Sequence, residues 1–213
     1  MLESLQKHVI PAYKMTKDLD QVTILDICFG LGFNTLATIY YYKINNLNKK
    51  INIYSPELDA DLIKSLKNFT YPDEFKEIKP IIDTLIECGT YEDTSIYIDL
   101  FIGDAREYIK TLDIKFDIIY QDAFSPSANP TLWTKEYFAE LKNIIKNDGI
   151  LTTYSIALQT RLALWENGFK VYLNQGEGFR SSTIASLMEK DGVEQVDMKH
   201  KISCNPNIKP LMD

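Results

Sequence analysis

Short runs of apolar and β-branched residues recur along this chain, separated by stretches with helical spacing. That alternation restricts the fold to an α/β sheet that is largely parallel. Val22-Thr23-Ile24-Leu25-Asp26-Ile27 reads as a buried strand, followed by a glycine-containing turn and a helix from about Asn34 to Tyr42. Ile51-Asn52-Ile53-Tyr54 is a second strand, and the stretch from Asp59 to about Cys88 is mainly helical, with a break near Tyr71-Pro72. Ile96, Ile98, Leu100 and Ile102 alternate with Tyr97, Asp99 and Phe101, the period of a third strand. Residues 116–120 make a fourth. Thr134 is placed to cap a helix with Phe138, Leu141 and Ile145 on one face, ended by Asp148-Gly149. Residues 150–154 form a fifth strand, a helix runs to Asn167-Gly168, and residues 169–173 and 182–187 close the sheet as an antiparallel pair. The expectation is a doubly wound, Rossmann-like sheet of seven strands with helices on both faces over residues 1–190. The polar segment 191–213 has no pattern that assigns it.

Composition bounds the rest. The 213 residues suffice for a core without staples, and the three cysteines (Cys28, Cys88, Cys204) form no C-x-x-C, so a disulfide framework or zinc ribbon is not expected. A reducing, cytoplasmic setting fits. The longest run without a charge, Ile27 to Tyr42, is shorter than the roughly 20 apolar residues of a membrane span, so no membrane partner is expected. With 23 basic and 30 acidic residues the net charge is −7, which argues against indiscriminate nucleic-acid binding. The two histidines, His8 and His200, lie near opposite ends with no ligand cluster beside either, and no metal is expected.

The first strand runs into Asp26-Ile27-Cys28-Phe29-Gly30-Leu31-Gly32. Glycines in such a turn let backbone approach a ligand, while the next helix begins with free N–H groups at about Asn34. Without a ligand the same residues make only a tight turn. Glu57 follows the second strand, where an acid can accept ribose hydroxyls, or simply begin a helix. Asp104 ends the third, facing an adenine edge or capping a helix. Asp26, Glu57 and Asp104 therefore share the carboxyl edge of the sheet, where doubly wound folds bind ligands, and together they point to a nucleoside-containing one. After the fourth strand comes a long loop, QDAFSPSANPTLW, in which Asp122 could accept a proton or hydrogen bond from an amine. Phe124 and Trp133 in it could stack on a planar substrate, or fill the core.

LDICFGLGFN, GDAREYI, FDIIYQDAFSPSANPTLWT, GILTTYS, ENGFKV and GFRSSTIASL follow in this order. The series resembles the methyltransferase domain of the tRNA-modifying MnmC family and its stand-alone relatives, over about Leu2 to Leu187. D-A-F-S-P-x-x-N-P-x-x-W-T is its most specific piece. The resemblance implies a class I S-adenosylmethionine-dependent methyltransferase fold and N-methylation of 5-aminomethyl(-2-thio)uridine at the tRNA wobble position. A separate enzyme would supply the aminomethyl intermediate. The resemblance places Asp26, Gly30, Gly32, Asn34, Glu57, Asp104 and Asp122 at the cofactor, Asp122 as the catalytic residue, and Phe124, Trp133 and Arg180 on the substrate side. Three departures stand out. Cys28 replaces the first glycine of the loop, tolerable if its φ is negative and its thiol points away from the ligand. The GFGRKRE-like segment of the bifunctional form is here GEGFRSST, with Arg180 the only nearby cation, and the family usually has residues before Leu2 that help build the substrate side. A spermidine-synthase-like aminopropyltransferase and a non-catalytic nucleoside- or RNA-binding module are the alternatives.

Overall fold

The computed structural model describes all residues from Met1 to Asp213. The chain opens with a helical segment in three pieces: α1 (Leu2–Ser4), a π-helical stretch (Leu5–Val9) and α2 (Ile10–Thr16). There follow β1 (Gln21–Ile27), α3 (Phe33–Ile44), β2 (Lys50–Glu57), α4 (Ala60–Ser65) and α5 (Lys79–Cys88). Next come β3 (Thr90–Glu92), β4 (Ile96–Ile102), α6 (Ala105–Thr111), β5 (Phe116–Gln121) and α7 (Lys135–Ile144). The chain ends with β6 (Ile145–Thr153), α8 (Leu158–Glu166), β7 (Lys170–Asn174), β8 (Ser182–Ser186), β9 (Glu194–Gln195) and α9 (Met198–Ser203).

The strands form one sheet in the order β3-β4-β2-β1-β5-β6-β8-β7-β9. The five strands from β4 to β6 in that order are parallel, and β3, β7, β8 and β9 pair antiparallel. All seven expected strands are present; the sheet has nine because β3 and β9 add short edges. Three and two residues long, these edge strands carry too few alternations to read as strands from sequence. The helix expected to run to Asp148-Gly149 stops at Ile144, and Ile145 instead opens β6 opposite Phe116. The pairing shifts register before Ile118, so an irregular strand start takes the place of the helix end.

Strand alternation sorts the core into two layers. Val22 and Ile24 face the layer shared with α3 and α5, whereas Leu25 and Ile27 face the layer of α6, α7 and α8. Period two then puts Asp26 on the α3 face, directly under that helix. By the same count Tyr120 and Asp122 lie on that face, and Gln121 lies on the other, where its amide bonds Leu132 and Tyr137. The chain reverses direction across the sheet between β1 and β5, so a crevice opens at the carboxyl ends of these strands.

The polar segment after Asp191 is packed onto the sheet. Met198 is buried, β9 pairs with β7, and both carboxylate oxygens of Asp213 accept from Arg106 (2.7 and 2.9 Å). No helix is long and apolar enough to cross a membrane.

Candidate active site

At the end of β1 the chain turns through three positive φ angles, Cys28 (67°), Gly30 (56°) and Gly32 (73°). Gly32 caps α3, and a Cβ on it would come within 2.8 Å of the Phe29 ring. It is therefore required for packing and does not line the crevice. Gly30 does line it, and its N–H donates to Glu57 Oε2 at 2.8 Å. Glu57 Oε1 accepts from the Asp59 N–H at 2.9 Å. One carboxylate thus ties the glycine turn to the end of β2, and each oxygen keeps a lone pair for a ligand.

Cys28 overturns its expectation: its φ is positive, a conformation L side chains avoid. Burial, with Glu57, Asp26, Asp122 and Asp104 around it, pushes its thiol up to about 12, so it stays a neutral thiol.

The cavity these elements enclose has a volume of about 680 Å³. Its lining includes Glu57, Asp59, Asp104 and Asp122 and no Lys, Arg or His. Such a lining repels phosphates and suits a ligand that carries positive charge, as a sulfonium and an α-ammonium do. Asn34, on the first turn of α3, donates from Nδ2 to Asp122 Oδ2 (2.9 Å) and to Asp26 Oδ1 (3.3 Å). The ionised Asp122 carboxylate fixes the amide orientation, since the amide oxygen would be repelled there. Asn34 Oδ1 is then a buried acceptor without a partner on a residue lining the cavity, ready for a ligand's N–H.

The other expected site residues separate into lining and support. Asp104 lines the cavity while its Oδ1 caps α6 through the Arg106 and Glu107 N–H groups, so the two readings of this acid coexist. Asp26 stands behind the lining: it is buried and accepts from Thr35 Oγ1 at 2.9 Å. Burial, reinforced by Asp122 and opposed by Thr35, Asn34 and His8, raises its carboxyl to about 7. Trp133 is a correction. It is 1% exposed and donates from Nε1 to the Phe124 carbonyl at 2.7 Å, so it holds the loop and stacks on no substrate. Its neighbour Thr134 already caps α7, which draws the indole into the core. Arg180 is exposed on the β7–β8 connection, outside both cavities of the site.

A second, more open cavity of about 440 Å³ lies beside the first, lined by Met1, Glu3, Ser4, Phe33, Asp122, Ala123, Phe124, Ser125 and Tyr154. Phe33, Asp122 and Phe124 belong to both linings, so Asp122 stands in the doorway between them. Phe124 is 79% exposed there. The N-terminal segment that builds one wall was not legible as a helix. It brings in His8, which has no ligand cluster beside it in the sequence: the residue is fully buried, with Nδ1 2.8 Å from Thr152 Oγ1 and Nε2 3.4 Å from Asp122 Oδ1. Burial raises Asp122, but His8, Asn34 and Lys7 outweigh it and hold the carboxyl below the usual range. The protein has no group of three or more His, Cys, Asp or Glu suited to a metal.

The mixed sheet, parallel at its centre, with this glycine turn and acid-lined cavity is the fold of class I methyltransferases that use S-adenosylmethionine. The chain belongs to the S-adenosyl-L-methionine-dependent methyltransferase family whose model matches residues 76–189, and within it is MnmC-like. The crystal structure of MNMC2 from Aquifex aeolicus is similar at a TM-score of 0.84 and 32% identity, covering 99% of this chain and 68% of that one. An uncharacterised protein of Methanocaldococcus jannaschii is 30% identical over 98% of this chain and 53% of its own length. The tRNA 5-methylaminomethyl-2-thiouridine biosynthesis bifunctional protein MnmC of Campylobacter concisus is 26% identical over 80% of this chain and 28% of its own length. The chain thus spans about half of the archaeal relative and under a third of the bifunctional one.

Proposed function

We propose that this methyltransferase acts on the primary amine of 5-aminomethyl(-2-thio)uridine at the wobble position of tRNA, giving the 5-methylaminomethyl form. The observation that carries the reading is Asp122 in the doorway between an acid-lined cavity and one walled by Phe33, Phe124 and Tyr154. Aromatic walls suit a base turned out of its strand, and a carboxylate suits the amine it carries. The bifunctional relative is named for the biosynthesis of 5-methylaminomethyl-2-thiouridine in tRNA, the product such a transfer would give.

When bound, S-adenosylmethionine supplies an electrophilic methyl on a sulfonium, whose leaving thioether needs no proton. Glu57 would hold its ribose hydroxyls, Asp104 would face the adenine, and the free Asn34 Oδ1 would accept from its ammonium. Asp122 would accept an N–H from the acceptor amine once that amine is neutral, turning the nitrogen lone pair toward the methyl. Phe124 would stack on the base and shield the doorway from water. Arg180, at the same edge of the sheet, would meet a phosphate. Another enzyme must first install the primary amine on the tRNA.

The test is single-turnover methyl transfer to tRNA bearing 5-aminomethyluridine, followed by mass spectrometry of the wobble nucleoside. Wild type should form the methylamine. Asp122→Asn should lower the rate by about 10²-fold or more with cofactor binding nearly intact, whereas Glu57→Ala should weaken the cofactor first. No transfer by wild type, or equal transfer by Asp122→Asn from neutral to alkaline pH, would overturn the reading.

A further inference from the structure

His8 is 114 positions away from Asp122 in sequence, and the mechanism above does not use it. Its ring is fully buried between sheet and helices, a costly place for a polar side chain without a purpose. Nδ1 meets Thr152 Oγ1 at 2.8 Å. Nε2 has no hydrogen-bond partner within ordinary reach, and the polar atom it faces is Asp122 Oδ1 at 3.4 Å. The Asp122 side chain is one-third exposed, so a small rotation of its carboxylate closes that gap. Tyr120 packs edge-on against the imidazole, with ring centroids 5.5 Å apart, and fixes its plane.

We infer that His8 is a positioning residue for Asp122, pointing Nε2–H at Oδ1 while Asn34 holds Oδ2. The two donors clamp the carboxylate from behind and leave its remaining lone pairs turned to the doorway. The inference rests on the proposed role of Asp122 toward the acceptor amine.

The tautomer follows from the neighbours. A lone pair on Nε2 would face the lone pairs of an ionised Asp122, so the proton sits on Nε2. In the neutral ring Nδ1 then accepts from the Thr152 hydroxyl, which can rotate to donate. The surrounding charges agree. Lys7 on the same helical stretch is paired with Glu3, Thr152 of β6 is neutral, and Asp26 of β1, which also feels His8, is held by the Asn34 amide and the Thr35 hydroxyl. Asp122 is the carboxylate within ion-pair reach of the imidazole. Local geometry contributes as well: the π-helical stretch holding His8 turns three successive residues, Lys7, His8 and Val9, into buried positions. Such widened turns are frequent at functional sites.

With two histidines in the chain, imidazole nitrogens can be read directly. Long-range proton–nitrogen spectra of the ligand-free, nitrogen-15-labelled protein should show one ring as the Nε2–H tautomer. Its signals should vanish in His8→Gln and move in Asp122→Asn, while those of His200 stay in place. In methyl transfer at saturating cofactor, His8→Phe should lower the rate by about 10- to 100-fold, the scale of a misplaced reacting group. His8→Gln, which retains an N–H donor, should recover most of it, and both variants should keep calorimetric cofactor affinity within about twofold of wild type. An Nδ1–H tautomer, or His8 signals indifferent to Asp122→Asn, would overturn the inference even if His8→Phe failed to fold. So would equal loss of rate in the Phe and Gln variants. Failure of wild type to methylate aminomethyluridine, with the spectra as expected, would instead remove the substrate assignment and leave the clamp in place.

Discussion

Cys28 stands in the left-handed region where the family's motif has glycine, and the cost is borne by the backbone. A left-handed L residue loses roughly 1–2 kcal/mol, while glycine gives back about 0.5–1 kcal/mol through the greater freedom of its unfolded chain. Cys28→Gly should therefore leave stability unchanged or raise it by up to about 1.5 kcal/mol, with cofactor affinity equal or higher. Cys28→Val should do the reverse, since a β-branched side chain fits this region worst. Urea unfolding and calorimetric titration with S-adenosylmethionine check both. If the glycine variant binds no cofactor, the thiol has a function of its own.

Among the elements, the connection from β5 to α7 decides what the second cavity can hold. Trp133 anchors it from beneath, its Nε1–H on the Phe124 carbonyl and its ring edge-on to Tyr154 at 5.7 Å. Trp133→Phe removes that donor and leaves a void, for an expected loss of about 1–3 kcal/mol. Phe124 lines both cavities, but Glu57 and Gly30, which tie the glycine turn to β2, are untouched, so KM for the acceptor should rise severalfold with a smaller loss of cofactor affinity. Steady-state kinetics beside calorimetry separate the two. An equal or larger fall in cofactor affinity would show that the loop serves the first cavity more than the second.

At the scale of the whole molecule, buried carboxylates give stability a pH dependence. Asp26 is raised to about 7, above its ordinary 3.8, so between these values the folded protein keeps a proton that the unfolded chain has released. Its contribution to stability is present below the lower value and is lost as pH rises through about 7. Asp122 is lowered, and its contribution has the opposite sign, lost only as the solution becomes more acidic than the ordinary carboxylate range. Asp26→Asn should thus flatten the fall in unfolding free energy between mildly acidic and neutral pH. The slope is the measurement, because any fixed cost of rearranging the Asn34 amide cancels from it. Urea midpoints across that range should fall for wild type and hold for the variant; parallel curves would mean that Asp26 is ionised in the folded state.

Periodicity and turn chemistry are local, which is why so much of the fold is legible in the sequence. The pattern of β1, β2 and β4 to β8 marks the seven longer strands, and with them the carboxyl edge where Gly30, Glu57, Asp104 and Asp122 meet. Side-chain direction across long separations is not local. Trp133 and Phe124 look alike as aromatic loop residues, and only packing sends one into the core and leaves the other 79% exposed. Gly32 and Gly30 share a motif, yet one packs against Phe29 and the other lines the cavity. The sign of φ at Cys28 comes from how the turn is tied down, with the Phe29 N–H on the Pro56 carbonyl and the Gly30 N–H on Glu57. His8 carried no signal at all, being an isolated histidine in a segment without clear amphipathic spacing. Its place beside Asp122 exists only because the N-terminal helical segment lies across β6, a contact between residues 144 positions apart that nothing short of the folded chain could specify.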